Sequence, residues 1–132
     1  MNRNELAGRV NQAAVELLYE KGYVAPVDLF KKIGMLTKTD YESWRRRQVP
    51  YLEKVLRGSL GRCSFVMTRL RAFAAANNLK PSWTAYMSWG RGLKTRLIFS
   101  KYRNENIEKW YSTHFVKPVA AVRPNVNISY PK

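Results

Sequence analysis

The stretch Pro50–Phe99, PYLEKVLRGSLGRCSFVMTRLRAFAAANNLKPSWTAYMSWGRGLKTRLIF, decides the fold. Pro50 suits the first turn of a helix over 50–57, with Tyr51, Leu52, Val55 and Leu56 on one side, and Gly58 breaks it. Ser59 then offers an N-cap for a longer helix over 59–77. Leu60, Cys63, Met67, Leu70 and Ala74 form its apolar stripe, with Val66 and Phe73 beside it. Asn77 and Asn78 suit a left-handed exit, and Pro81 forbids continuation. From there the period changes to two. Trp83, Ala85, Met87 and Trp89 alternate with Thr84, Tyr86 and Ser88; after Gly90-Arg91-Gly92, Leu93, Thr95, Leu97 and Phe99 alternate with Lys94, Arg96 and Ile98. Two such segments around a glycine-flanked turn predict a β-hairpin over 83–99. The helical spacing of Trp83, Tyr86 and Met87 keeps a helix over 82–89 as the alternative. Helix, tight turn, longer helix and hairpin follow the order of a winged helix-turn-helix. The expected fold class is therefore mainly α with a β-hairpin in the C-terminal half.

Outward from this stretch, the N-terminal part reads as helices. Asn2 or Asn4 can cap the first, with Glu5 near its positive end; Leu6, Val10, Ala13, Ala14, Leu17 and Leu18 give its stripe and Gly22 its stop. Pro26 opens a short helix with Val27, Leu29, Phe30 and Ile33 on its apolar face, closed by Gly34. Thr39 and Glu42 have capping-box spacing, placing Tyr41 and Trp44 inward and Arg45, Arg46 and Arg47 at the helix end. Asn104 or Asn106 starts a last helix, with Ile107, Trp110, Tyr111, His114 and Phe115 as its stripe. Residues 1–117 are expected to form one basic domain, and 118–132, with Pro118, Pro124 and Pro131, an extended tail.

Charge is the dominant feature. The 132 residues hold 24 Lys and Arg against 9 Asp and Glu, a net +15. Residues 1–42 are neutral, with six basic and six acidic side chains, whereas 43–104 carry fourteen basic residues against the single acid Glu53. Like charges at this density oppose the compact state, and a polyanion relieves them while releasing counterions. The region predicts a nucleic-acid face, DNA favoured over RNA. On the helix over 59–77, Arg62 and Arg69 are two turns apart and share a side, with Arg71 off that line. Arg91 sits at the hairpin tip as a wing contact, and Lys94 and Arg96 share one hairpin face. Arg45, Arg46, Arg47, Lys101 and Arg103 complete the set of expected phosphate-binding cations. The pair of helices within 27–47 is a poorer reader because of Asp28, Asp40 and Glu42. Among the aromatics, Trp83, Trp89 and Trp110 are expected in the core, and Tyr86, on the opposite hairpin face, is expected to stack on bases.

Catalytic signals are weak. His114 is the only histidine and is expected to cap or end the last helix rather than act as a base. Cys63 lies on an apolar stripe and reads as core. The carboxylates are scattered, and Gly90-Arg91-Gly92 is a turn, not a phosphate-binding loop. No metal or cofactor is expected. A lone cysteine excludes an intramolecular disulfide framework, no apolar run approaches a membrane span, and the N-terminus lacks the apolar core of a secretory signal; a soluble cytoplasmic protein is expected.

Pro26-Val27-Asp28-Leu29-Phe30, Trp44-Arg45, Val49-Pro50-Tyr51-Leu52-Glu53, Pro81-Ser82-Trp83-Thr84-Ala85-Tyr86, Leu97-Ile98-Phe99-Ser100-Lys101, Ile107-Glu108 and Tyr111-Ser112-Thr113-His114 resemble a group of small basic bacterial proteins of unknown function, over roughly residues 24–117. The resemblance implies no activity, partner or site. The residues themselves predict a non-catalytic DNA-binding protein, regulatory or accessory. The alternatives are an RNA- or ribosome-binding protein, a small metal-free nuclease or toxin, and a clamp on an acidic protein surface.

Overall fold

The structure, a computed structural model, describes residues 2–118. It is mainly helical, with a small three-stranded antiparallel sheet, as the sequence predicts in outline. Helices α1 (Arg3–Lys21), α2 (Pro26–Lys32), α3 (Lys38–Arg45), α4 (Leu60–Ala76) and α5 (Glu105–Ser112) are joined by strands β1 (Tyr23–Val24), β2 (Lys80–Trp83) and β3 (Thr113–Val116). The strand order is β1-β3-β2, with Tyr23 opposite Val116 and Trp83 opposite Thr113. Pro81 is tolerated because β2 is an edge strand. No helix among the described residues is long and apolar enough to cross a membrane.

Local signals set the helix ends. Asn2 and Glu5 close a reciprocal capping box on α1. Three helices end in the same way. The residue two past the helix takes a left-handed conformation, and the next N–H reaches back to the last turn: Gly34 (φ 84°) after α2, Arg47 (φ 64°) after α3 and Asn78 (φ 56°) after α4, with Met35, Gln48 and Leu79 bonding to the carbonyls of Phe30, Ser43 and Ala74.

Several expectations are corrected. The cap of α3 is Thr37, whose hydroxyl accepts from the Asp40 N–H at 3.1 Å, not Thr39. The helix over 50–57 is one 3-10 turn, Leu52–Lys54, because the N–H groups of Leu52 and Glu53 bond to the carbonyls of Ile98 and Phe99 instead of to a preceding turn. Leu60 is 65% exposed at the start of α4, outside the stripe assigned to it. The hairpin over 83–99 keeps its turn but only one bridge, Met87 opposite Arg96, flanked by Ser88 N–H to Thr95 O and Leu97 N–H to Tyr86 O. Only the start of its first arm pairs elsewhere, Trp83 as the last residue of β2 against β3 and Thr84 N–H to the Ser112 carbonyl. The last helix stops at Ser112, so His114 and Phe115 belong to a strand. The tail assigned from 118 onward lies, after Pro118, outside the described residues.

The core holds α1 against α4, and α2, with an aromatic group centred on Trp44. Trp44 is fully buried, with Tyr86 and Phe99 at 5.6 and 5.2 Å between ring centroids, and its indole N–H donates to the Ile98 carbonyl at 2.9 Å. Trp44→Phe keeps most of the apolar volume but removes that donor. We expect a loss of about 1–3 kcal/mol in denaturant unfolding.

Candidate nucleic-acid interface

The ion pairs of the described residues lie in the neutral part of the chain: Lys21 and Lys31 with Asp28, and Lys32 with Glu16 and Glu20. In the basic part, cations stand over aromatic rings. Arg46 lies 5.8 Å from the Trp89 centroid, Arg71 4.6 Å from Trp110, Arg96 5.0 Å from Trp83 and Lys101 5.3 Å from Tyr102. These rings are exposed, Trp83 at 55%, Trp89 at 40%, Trp110 at 43% and Tyr102 at 84%. The core placement expected for the three tryptophans is thus corrected. In the first hairpin arm the alternation exists but in the opposite phase, with Tyr86 and Ser88 in and Trp83, Met87 and Trp89 out; the second arm keeps its expected phase, with Leu97 and Phe99 buried and Lys94 and Arg96 exposed. Tyr86 brings an aromatic ring to the wall formed by Trp44 and Phe99, whereas each indole gains a cation at the surface.

Tyr86 is 7% exposed, so it is not a base-stacking residue. Its hydroxyl meets His114 Nε2 at 3.1 Å, and burial pushes its pKa up. His114 stacks on Tyr23, with ring centroids 5.2 Å apart and planes 3° from parallel. It neither caps nor ends a helix. Burial is the largest influence on its imidazole and lowers its pKa, opposed by Asp28 and aided by Lys21. Cys63 is buried as expected, and burial, with the charge of Glu53, pushes its thiol to about 11. No group of three or more His, Cys, Asp or Glu among the described residues is arranged to hold a metal ion.

The predicted cations do not form one face. Arg45 acts as a structural clamp: its Nε donates to the Tyr41 hydroxyl at 2.9 Å, its Nη1 to the Met87 carbonyl at 2.8 Å, and its guanidinium covers Tyr86 and Trp89. It is half-buried and spends at least two of its donors on the protein itself. On α4, Arg69 lines a groove against α1 with Asn11, Gln12 and Val15, while Arg71 lies on the α5 side over Trp110. Arg62 is half-buried near the start of α4. Between these flanks the outer ridge of α4 is Gly61, Ser64, Thr68, Ala72 and Ala75, all exposed and small. Arg91 is exposed at the hairpin tip between Gly90 and Gly92, and Lys94 Nζ donates across the turn to the Gly90 carbonyl at 3.2 Å.

One convergence is new. Arg47, Arg96 and Arg103 line a single groove of about 220 Å³ with Val49, Pro50 and Ile98, and no carboxylate borders it. All three arginines are exposed. Arg103 (φ 54°) shares the left-handed backbone of Arg47. The groove continues past Arg96 and Arg103 toward Glu105 and Glu108. Glu108 is already committed: it accepts from the N–H groups of Phe99 and Ser100 and from the Ser100 hydroxyl at 2.7–3.1 Å. Three like charges in an open groove repel, and an anion placed among them removes that cost.

Comparison with protein-family models, with curated proteins and with solved structures finds no match to this chain.

The buried His114 generates a stability prediction. The folded state favours the neutral imidazole, because its pKa is lowered from 6.5. Its contribution is therefore complete above that value and is lost as pH falls below it. Between about pH 7.5 and about pH 5.5 the melting temperature falls, and His114→Asn, which cannot take up the proton, falls less.

Proposed function

We propose that the protein binds nucleic acid without catalysing chemistry on it, as a regulatory or accessory DNA-binding protein, through the basic region 43–104. The observation that carries this reading is how the region's cations are held. Arg46, Arg71 and Arg96 stand on aromatic faces, and Arg47, Arg96 and Arg103 around one groove, rather than in ion pairs with carboxylates. An ion pair cancels charge; an aromatic face orders a cation and leaves its charge in place. The charge of the aromatic-covered and groove arginines, in a region whose fourteen basic residues are opposed only by Glu53, is thus left for an external polyanion. For duplex DNA, the small outer ridge of α4 supports close approach to a groove, with Arg69 and Arg71 on its flanks and Arg91 at the hairpin tip in the manner of a wing. The supporting element before α4 is a 3-10 turn and the hairpin holds a single bridge, so this is a reduced version of the winged arrangement.

A specific observation favours a second reading, in which the ligand has unpaired bases, in RNA or single-stranded DNA. Trp83, Trp89, Trp110 and Tyr102 are exposed rings among these cations, and such rings stack on bases without regard to sequence. Titrating the protein with duplex DNA, single strands and structured RNA at several salt concentrations decides between the two. No binding at low salt to any of them overturns both.

Affinity is expected to fall steeply with salt, and Arg47→Ala, Arg96→Ala and Arg103→Ala each to reduce the slope of log K against log salt by about 0.7–0.9. Lys38→Ala, an exposed cation of the neutral part, leaves the slope unchanged and serves as control. Arg47→Gly separates binding from folding. Glycine relieves the left-handed backbone at Arg47, so stability is held or raised by up to about 1 kcal/mol while nucleic-acid affinity falls. Thermal melting and a binding titration on the same variant check both.

A further inference from the structure

Glu53 is the single acid between Glu42 and Glu105. It lines a cavity of about 240 Å³ bounded by α4 and α5, together with Met67, Thr68, Arg71, Trp110 and Tyr111. Two opposite charges face this space without pairing. The Tyr111 hydroxyl donates to Glu53 Oε2 at 2.9 Å, and the Glu53 backbone N–H is tied to the Phe99 carbonyl at 2.9 Å. Across the cavity, Arg71 is held by the Trp110 ring at 4.6 Å and by the Thr68 hydroxyl at 3.5 Å from Nη2. Its Nη1 is buried with no hydrogen-bond partner. A buried N–H left without an acceptor is costly, so an arginine with such a donor, lining the same cavity as a carboxylate with which it forms no ion pair, marks an unfilled requirement.

The occupant that meets the requirement must donate to a carboxylate and accept from a guanidinium across one small, flat body, and it must pack on an indole. A guanine base does so. Its N1–H and N2–H₂ are parallel donors matched to the two oxygens of a carboxylate, and its O6 and N7 are the acceptors that an arginine reads. Cytosine and adenine each present one exocyclic amino group, and uracil one ring N–H, so none offers two parallel donors. We infer that this cavity is a pocket for an unpaired guanine base, with Glu53 accepting from N1 and N2, Arg71 donating to O6 or N7, and Trp110 forming a wall against the ring. Met67 supplies the apolar floor. The inference rests on the second reading above, a nucleic acid with unpaired bases, and gives that ligand a base preference that phosphate contacts alone cannot supply.

The test titrates the full chain with the 5′-monophosphates of guanosine, adenosine, cytidine and uridine, following chemical shifts of the Trp110 indole. In parallel it compares single-stranded oligouridylate with the same strand carrying one central guanosine. The guanosine nucleotide and the guanosine-containing strand are expected to bind roughly tenfold more tightly than the others. Glu53→Gln, which replaces one acceptor oxygen by a donor, abolishes that preference and leaves low-salt binding to oligouridylate intact. Trp110→Ala, at an exposed side chain, lowers guanosine nucleotide affinity and serves if Glu53→Gln fails to fold. Equal affinity for all four nucleotides, or a preference that survives both variants, overturns the pocket. If strands bind with no guanine preference, the pocket falls and the nucleic-acid reading stands. If guanosine nucleotide binds selectively and no strand binds, the nucleic-acid reading falls instead.

Discussion

The buried indole of Trp44 is the contact on which the rest of the structure depends. Its ring packs on Tyr86 and Phe99, and its N–H is bonded to the Ile98 carbonyl, which also accepts from Leu52 N–H. Three segments thereby meet at one point: the end of α3, the turn at 52–54 and, distant from both in the chain, the second hairpin arm. Each of these segments carries arginine or lysine, and their mutual repulsion works against bringing them together. Aromatic burial supplies the opposing term, with ring pairs adding about 0.5–1.5 kcal/mol each beyond the area they bury. Phe99 extends the contact to Tyr111, stacked at 5.2 Å with planes 5° from parallel, and so fixes α5 against the same centre.

Around that centre the surface solves a second problem. A long arginine left free has a large rotamer entropy to lose when it binds, and an arginine paired with a carboxylate has no net charge to offer. Cover by an aromatic face avoids both: the side chain is partly ordered in advance and the charge persists. Arg45 shows where this arrangement becomes structural instead. With Tyr41, Tyr86 and Trp89 around it and the Met87 carbonyl at its Nη1, it staples the hairpin to α3.

What the sequence made legible was local. The α1 and α4 helices carry their caps, and α2 its opening proline, together with their stripes and stops, within their own residues, and all three stand where those signals put them. The misread elements are those whose backbone bonds run to distant partners. Ile107, Trp110, Tyr111, His114 and Phe115 have helical spacing throughout, yet the last two are drawn into β3 by the edges of β1 and β2, which no local pattern announces. The turn at 52–54 fails as a helix for the same reason, its donors being taken by 98 and 99. In the first hairpin arm, alternation gives the period but not the phase, because Trp and Tyr are both apolar enough to go inside; the second arm, where apolar residues alternate with Lys94 and Arg96, has the phase as well. Only the existing wall of Trp44 and Phe99 chooses Tyr86. The groove arginines were each singled out by charge, but their convergence depends on the same long-range packing and left no signal in the spacing.

The groove also concentrates the backbone strain of the arginines. Asn78 is the other non-glycine residue among the described ones with positive φ, and asparagine visits that region readily; Arg47 and Arg103 do not. A left-handed conformation costs such a residue about 1–2 kcal/mol. Gly34 performs the same terminating role after α2 at no such cost. An arginine at the equivalent place after α3 therefore gives the helix end nothing that glycine would not. What it adds is a cation on the wall of a groove where Arg96 and Arg103 already stand. The stability cost at this helix end is local, whereas the gain appears only when an anion occupies the groove. Under the nucleic-acid reading proposed above, that asymmetry assigns Arg47 to binding rather than to the fold.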